Sequence, residues 1–228
     1  MMKITELTLY TDRLEQAKQF YTNVLELELL AEEADSFTVT IGWTALRFAA
    51  VRDQSRPFYH MAFNIPENKV EEAREWLAQR VGLIMHDEDP LIYFESWNAH
   101  SLYFSDAAGN LVELIARHNL ENANDTPFSS RDFLCVSEIG LPVEDVLDTV
   151  EDLEIGLGIG PWRGPTASFT PMGDEDGLLI LVACGRTWFM SDVQARFQPA
   201  AVTIHGNRDQ DVHLRGYEFH MIAADEYA

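Results

Sequence analysis

Three short stretches of the chain, ELTLYT (residues 6–11), HMAFNI (60–65) and EIGLPV (138–143), are written to one pattern. In each, apolar side chains alternate in the same sense, as Leu7/Leu9, Met61/Phe63 and Ile139/Leu141. That places them on one face of a strand. The opposite faces are headed by Glu6, His60 and Glu138 and continue with Thr8, Ala62 and Gly140. A recurring unit constrains the fold more than composition does, because each copy must bury its apolar face in the same way.

Each strand runs into a helical segment. Asp12 with Glu15 reads as an Asp-x-x-Glu capping box, and Asn68 with Glu71 repeats it behind Pro66. Leu14, Ala17, Tyr21 and Val24 fall at helical spacing, as do Val70, Ala73, Leu77 and Val81, and then Val146, Val150 and Leu153. Such helices can cover the strands' apolar faces. Further strand-like runs follow: FTVTIGW and TALRFAAV after the first helix, LIYFES, SLYFSD and NLVELIA after the second, SFTPMG and LLILVACG after the third. PAAVTIHG and GYEFHMI supply two more strands with no helix between them. The unit is β-α-β-β-β, complete twice, looser once and finally truncated. HNLENANDTPFSS (residues 118–130) is polar and turn-rich and reads as a linker. The expected fold is α+β: tandem βαβββ modules paired into open, curled mixed β-sheets with the helices outside. Residues 1–118 are expected to form one domain of two modules, 119–131 the linker, and 132–228 a third module with a truncated fourth.

The second face of HMAFNI is unusual. A wet face would carry Lys, Glu or Thr, not Ala62 beside a lone His60. If two modules curl into an open barrel, the face opposite the helices lines a cavity, and Glu6, Thr8 and His60 belong in that cleft.

Charge narrows the partners. The 228 residues carry 16 basic and 38 acidic side chains, a formal charge of −22, and the lysines are Lys3, Lys18 and Lys69 alone. Such a surface repels nucleic acid and anionic membranes and suits solubility, for instance in a salt-rich cytoplasm. No apolar run is long enough to span a bilayer, and MMKITELTLY lacks the basic and apolar regions of a signal peptide. Cys135 and Cys184 are too few for a disulfide framework or a zinc ribbon. The expected location is a reducing cytoplasm. GLGIGPWRG (residues 156–164) follows a helix instead of joining a strand to one, so it reads as a loop and not a dinucleotide fingerprint. His205, His213 and His220 match no zinc spacing.

Tandem βαβββ modules carrying ELTLYTDRLEQAKQFYTNVLELELL, FYHMAFNIP and SLYFSDAAGNLVELIA resemble the vicinal oxygen chelate superfamily. That superfamily includes glyoxalase I, bleomycin-resistance proteins and extradiol ring-cleaving dioxygenases. The last stretch is similar to the family's strand–turn–strand, in which a Gly-Asn turn precedes a metal-binding Glu. The resemblance spans residues 3–117 and, more weakly, 132 to about 190.

It implies that each module supplies one ligand from its first strand and one from its last: Glu6 and Arg47, then His60 and Glu113. Arg47 is placed by matching TALRFAA to LVELIA. One imidazole and two carboxylates suit Fe(II), Mn(II), Ni(II) or Zn(II) with positions left open. The implied cofactor is therefore a divalent metal on Glu6, His60 and Glu113. Glu6 or Glu113 is the implied general base, with Arg47 and Tyr103 against the substrate; Tyr103 stands ten residues before Glu113, as does a substrate-contacting tyrosine of ring-cleaving members. The chain departs from the family where Glu6 replaces a usual His, and where Arg47 breaks the four-ligand set of glyoxalase I. Arg47 could instead pair with Glu6 or Glu113 in a metal-free cavity.

The implied function is a metal-dependent enzyme, glyoxalase-like or ring-cleaving-dioxygenase-like, acting on a small molecule with two adjacent oxygens. The alternative is a non-catalytic binding protein of the bleomycin-resistance type. Val202 and Glu218 match His60 and Glu113 in the last module. The second half is thus expected to have lost its site, and to cover the first barrel or form a homodimer interface.

Overall fold

The computed structural model describes residues 2–206 and 209–223. The expected last module runs on to residue 228, and 207, 208 and 224–228 lie outside the described residues. The strands form two seven-stranded sheets. Sheet A holds, in spatial order, β13 (Gln210–Leu214), β14 (Tyr217–Ala223), β12 (Ala201–Gly206), β1 (Lys3–Thr11), β4 (Thr44–Ala50), β3 (Ser36–Ile41) and β2 (Leu29–Glu33). Sheet B holds β10 (Phe169–Asp174), β11 (Gly177–Ala183), β9 (Cys135–Val143), β5 (His60–Ile65), β8 (Leu111–Arg117), β7 (Ala99–Ser105) and β6 (Ile92–Phe94). The architecture is the α+β arrangement of paired, curled mixed sheets that the repeat implies.

The pairing of modules differs from the expected one. The first two modules do not share a sheet: the first pairs with the fourth in sheet A, and the second with the third in sheet B. The segment read as a linker explains why. It folds back on the start of the second helix, where Asn122 Oδ1 accepts from Glu67 N at 2.8 Å and Glu72 Oε2 from Phe128 N at 2.9 Å. The chain therefore emerges beside β5, and β9 pairs with it antiparallel, Met61 opposite Ile139. In sheet A, β12 lies against β1 in the same sense, Leu7 opposite Val202.

The helices α1 (Leu14–Gln19), α2 (Val70–Ala78) and α3 (Val146–Leu157) bury the positions their spacing marks: Ala17, then Val70, Ala73 and Leu77, then Val146, Val150 and Leu153. After Gln19 the first helix widens into a π turn, Phe20–Val24, which seats Tyr21 in the core against Phe48. Neither expected capping box forms. Arg13 and Lys69 are the N-caps, without side-chain hydrogen bonds. Thr11 instead takes the Arg13 N–H at 3.0 Å, and Asn68 turns to the Asn124 backbone. β2 and β13 join the strands that the sequence marks. No helix of the described residues is long and apolar enough to cross a membrane.

Leu7 and Leu9, Met61 and Phe63, and Ile139 and Leu141 lie in one core with the helices. Where the sheets meet, the β3–β4 turn abuts the chain entering β9: Trp43 N donates to Leu134 O at 3.3 Å. Gly42 sits there at φ 51°, and a Cβ on it would overlap the Leu134 carbonyl. The faces turned away from the core differ between the sheets, and that difference positions the site.

Candidate metal centre

Strand alternation puts His60, Ala62 and Asn64 of β5 on the face opposite the core, with Glu113, Ile115 and Arg117 of β8 and Glu138 and Gly140 of β9. Register then assembles them, because Ala62 stands between Glu113 on one neighbouring strand and Glu138 on the other. One ligand-capable atom from each of His60, Glu113 and Glu138 lies within 4.8 Å of the others. His60 Nε2 is 3.6 Å from Glu113 Oε2 and 4.0 Å from Glu138 Oε2.

The cluster lies in a cavity of about 250 Å³. Its walls are mainly aromatic and aliphatic: Phe94, Trp97, Tyr103, Phe169, Trp188 and Phe189, with Ile115, Ile180 and Val182. Trp188 comes from the loop after β11, and its ring centre is 5.2 Å from that of His60. The indole lies where a Cβ of residue 140 would project, so Gly140 is required for it to seat.

Burial sets the protonation states. His60 Nδ1 meets Leu111 O at 3.4 Å. A carbonyl only accepts, so this contact places the imidazole proton on Nδ1 and leaves the Nε2 lone pair towards the carboxylates. Loss of water drives the His60 pKa down to about 4. The Glu113 carboxyl is pushed up to about 8 by burial and then by the charge of Glu138, against the hydroxyls of Ser101 and Tyr103 and the charge of Arg117. Burial also raises Glu138, and Arg117 opposes this.

Arg117 is 0% exposed. It donates Nε–H to Asn64 Oδ1 at 3.0 Å and ion-pairs through Nη2 with Glu138 Oε1. Glu138 is thereby compensated. Glu113 has no lysine or arginine within ion-pair distance among the described residues, and a buried carboxylate without a counter-charge is costly. The donors fit a divalent cation: one neutral imidazole with a free lone pair and two carboxyls, one of which, Glu113, has no counter-charge to ionise against until a cation supplies it. His60 Nδ1 on a backbone carbonyl is the outer contact that fixes a ligand imidazole.

Of the residues the sequence pointed to, the structure brings His60, Glu113 and Tyr103 into one cleft. Glu6 and Arg47 are elsewhere. Glu6 lies on sheet A, exposed, where Thr203 Oγ1 donates to it at 3.4 Å. The set Glu6, His60 and Glu113 is therefore not assembled, because the strand beside β5 is β9 and not β1. Arg47 pairs with neither Glu6 nor Glu113; its Nη2 is 3.0 Å from Glu33 Oε2 and 2.8 Å from Ser36 Oγ. Tyr103 stands opposite Glu113 on β7, with its hydroxyl pKa well above the ordinary value through burial and the adjacent carboxylates.

The second half is part of this centre, since it supplies Glu138, β11 and Trp188. Val202 faces the core, and Thr203 takes the position opposite Glu6. Glu218 is half-exposed, 3.8 Å from His213. Glu138 was legible as the third head-of-strand residue of the repeat; its partner module was not.

Residues 3–114 match the model of the Glyoxalase/Bleomycin resistance protein/Dioxygenase superfamily. No match is found among curated protein sequences. Among solved structures, glyoxalase I from Zea mays is similar with a TM-score of 0.60 at 14% identity, covering 98% of this chain and 92% of that one. A candidate dioxygenase from Bacillus subtilis is similar with a TM-score of 0.63 at 14% identity, covering 96% and 84%. At these identities the structures speak for the fold. The match over residues 3–114 places that part of the chain in the glyoxalase/bleomycin resistance protein/dioxygenase superfamily, the vicinal oxygen chelate proteins, and the two sheets share the fold of the similar structures over nearly the whole chain.

Proposed function

We propose that the protein is a metal-dependent enzyme whose cation is held by His60, Glu113 and Glu138, and which acts on a small, largely apolar molecule bearing two adjacent oxygens. The observation that carries this reading is three convergent donors, one of them an uncompensated carboxylate, facing an apolar cavity. When bound, a divalent cation would polarise the two oxygens and stabilise negative charge on them. The chain's own residues do the rest. Trp188, Phe189 and Phe94 exclude water and present flat apolar surface. Glu113 is the donor at which a proton and the cation compete, since burial raises its pKa while the site is metal-free. Tyr103, beside it, offers a hydroxyl to substrate or to Glu113.

The test is metal content per chain for wild type and His60→Ala, purified without chelator or nickel resin. About one equivalent of transition metal in wild type, lost in the variant, supports the reading and directs assays to catechols and α-ketoaldehyde adducts. A wild type that is empty and also refuses Fe(II), Mn(II), Ni(II) and Zn(II) overturns it, and leaves a metal-free ligand-binding cleft.

A further inference from the structure

The three donors rest on a second polar layer. Asn64 and Arg117 stand four residues beyond His60 and Glu113 on the same strands, and so on the same face. Asn64 is fixed from below, its Nδ2 donating to Glu175 O at 2.9 Å, which turns Oδ1 to receive Arg117 Nε. The guanidinium lies 5.5 Å from the Trp97 ring centre and reaches Glu138 through Nη2. The two oxygens of Glu138 therefore have separate employment: Oε1 is held by Arg117, and Oε2 faces His60 Nε2. A lysine could not meet Asn64 and Glu138 at once; the planar fork of arginine can.

We propose that Arg117 is a positioning residue that confines Glu138 to one free oxygen, and that its charge makes the loaded site favour an anionic over a neutral ligand. This rests on the reading of His60, Glu113 and Glu138 as the cation site. With His60 neutral and both carboxylates ionised, a divalent cation would already be balanced. Arg117 leaves the loaded cluster one positive charge in excess, within apolar walls that screen it poorly. The cavity lining agrees. Although the chain has 38 acidic residues, the carboxylates lining the cavity among the described residues are Glu113 and Glu138 alone, and the one further charged side chain among them is Arg186. Arg186 lies over the Phe169 ring, 4.8 Å from its centre. Among the described residues, an incoming anion meets no carboxylate in the cavity beyond the two donors. Arg117 also keeps Nη1 without a hydrogen-bond partner, an unspent donor beside the cluster.

The experiment loads wild type, Arg117→Gln and Arg117→Lys with Co(II). Each is then titrated with tropolonate, a planar monoanion with two adjacent oxygens, and with neutral imidazole, both followed in the visible Co(II) spectrum. In Arg117→Gln, tropolonate affinity is expected to fall about tenfold or more while imidazole affinity stays within about twofold, because only the anion uses the excess charge. Arg117→Lys is expected to restore most of the tropolonate affinity, yet to show a changed Co(II) spectrum, because the fork that holds Oε1 is lost. Tropolonate affinity unchanged in a folded Arg117→Gln overturns the proposal. If that variant does not fold, Arg117→Lys decides it: a Co(II) spectrum identical to wild type overturns the positioning role. A wild type that takes up no Co(II) overturns the reading of the cluster as a cation site, and the proposal with it. Uptake of Co(II) with no effect of either variant overturns the proposal alone.

Discussion

The two sheets are built from the same unit, and their outer faces have opposite characters. On sheet A the face carries Glu6, Arg47 and Glu218 on open or half-open surface, with Thr203 buried beside Glu6, and they are engaged locally: Arg47 with Glu33, Glu218 near His213, Glu6 with Thr203. On sheet B the corresponding strands carry His60, Glu113 and Glu138, all at most 7% exposed. The donor chemistry is similar; the cover is not. Trp188 and Phe189 after β11, Phe169 of β10, and Phe94 and Trp97 around β6 close over sheet B. In water, charged groups need little from one another. Under an aromatic roof their charges must be balanced, by proton, arginine or metal. Burial, more than the identity of the donors, sets the candidate centre on sheet B apart from its counterpart on sheet A.

The largest effect expected from this comparison separates Glu138 from Glu218. Glu138→Gln should lower transition-metal affinity about a hundredfold or more, and Glu218→Gln should leave it unchanged. Equilibrium dialysis of both variants checks this, and equal losses would break the distinction between the sheets. A second contrast concerns glycine. Gly140→Ala sets a Cβ into the rigid Trp188 indole, whereas Gly206→Ala on sheet A meets the flexible end of Met221. Urea unfolding should show about 1–3 kcal/mol lost for Gly140→Ala and less than half of that for Gly206→Ala. Near-UV circular dichroism should report the displaced indole in the first variant only.

A third prediction uses pH on metal-free protein. The Glu113 pKa is raised in the folded state to about 8 from 4.5, so the native state holds the proton more tightly and stability is lost as pH rises through 8. The His60 pKa is lowered to about 4 from 6.5, so the unfolded state binds the proton more tightly and stability is lost as pH falls from 6.5 towards 4. The two slopes oppose each other between 4.5 and 6.5, and only that of Glu113 acts from 6.5 to 8. There, metal-free wild type should lose about 2 kcal/mol relative to Glu113→Gln, read as the difference between their urea midpoints across pH. Stabilisation by added metal should grow over the same interval. The smallest effect belongs to sheet A: Arg47→Ala should cost less than about 0.5 kcal/mol in urea and leave metal binding untouched.

Much of the site was legible before the fold. His60 announced itself through its neighbours, Ala62 and Asn64, which suit neither water nor a uniformly apolar core. Glu113 and Tyr103 were implied by the resemblance to the superfamily, through the Gly-Asn turn before the strand of Glu113 and the ten-residue spacing of Tyr103 from it. Glu138 stood at the same position of the third copy, yet Val202 and Glu218 drew the second half away from the site. Arg117 gave no signal, since a strand-terminal arginine normally reaches solvent. Trp188 left only an indirect trace, in Gly140 at a strand position where a side chain would be expected. The capping boxes failed because Asp12 and Asn68 lie one residue before the observed caps.

Alternation and period are local properties, and they determined the strands, the three helices, and which face of each strand would turn from the core. A module cannot bury its apolar face alone, so the repeat also required that modules pair. Which modules pair is decided by long-range docking: the segment after β8 folds back on α2 and delivers β9 to β5. That choice exchanged Glu6 for Glu138, enclosed Arg117, and drew the loop carrying Trp188 over His60. Burial, and with it the protonation of every group in the centre, depends on atoms brought from distant parts of the chain, so only the tertiary structure could settle it.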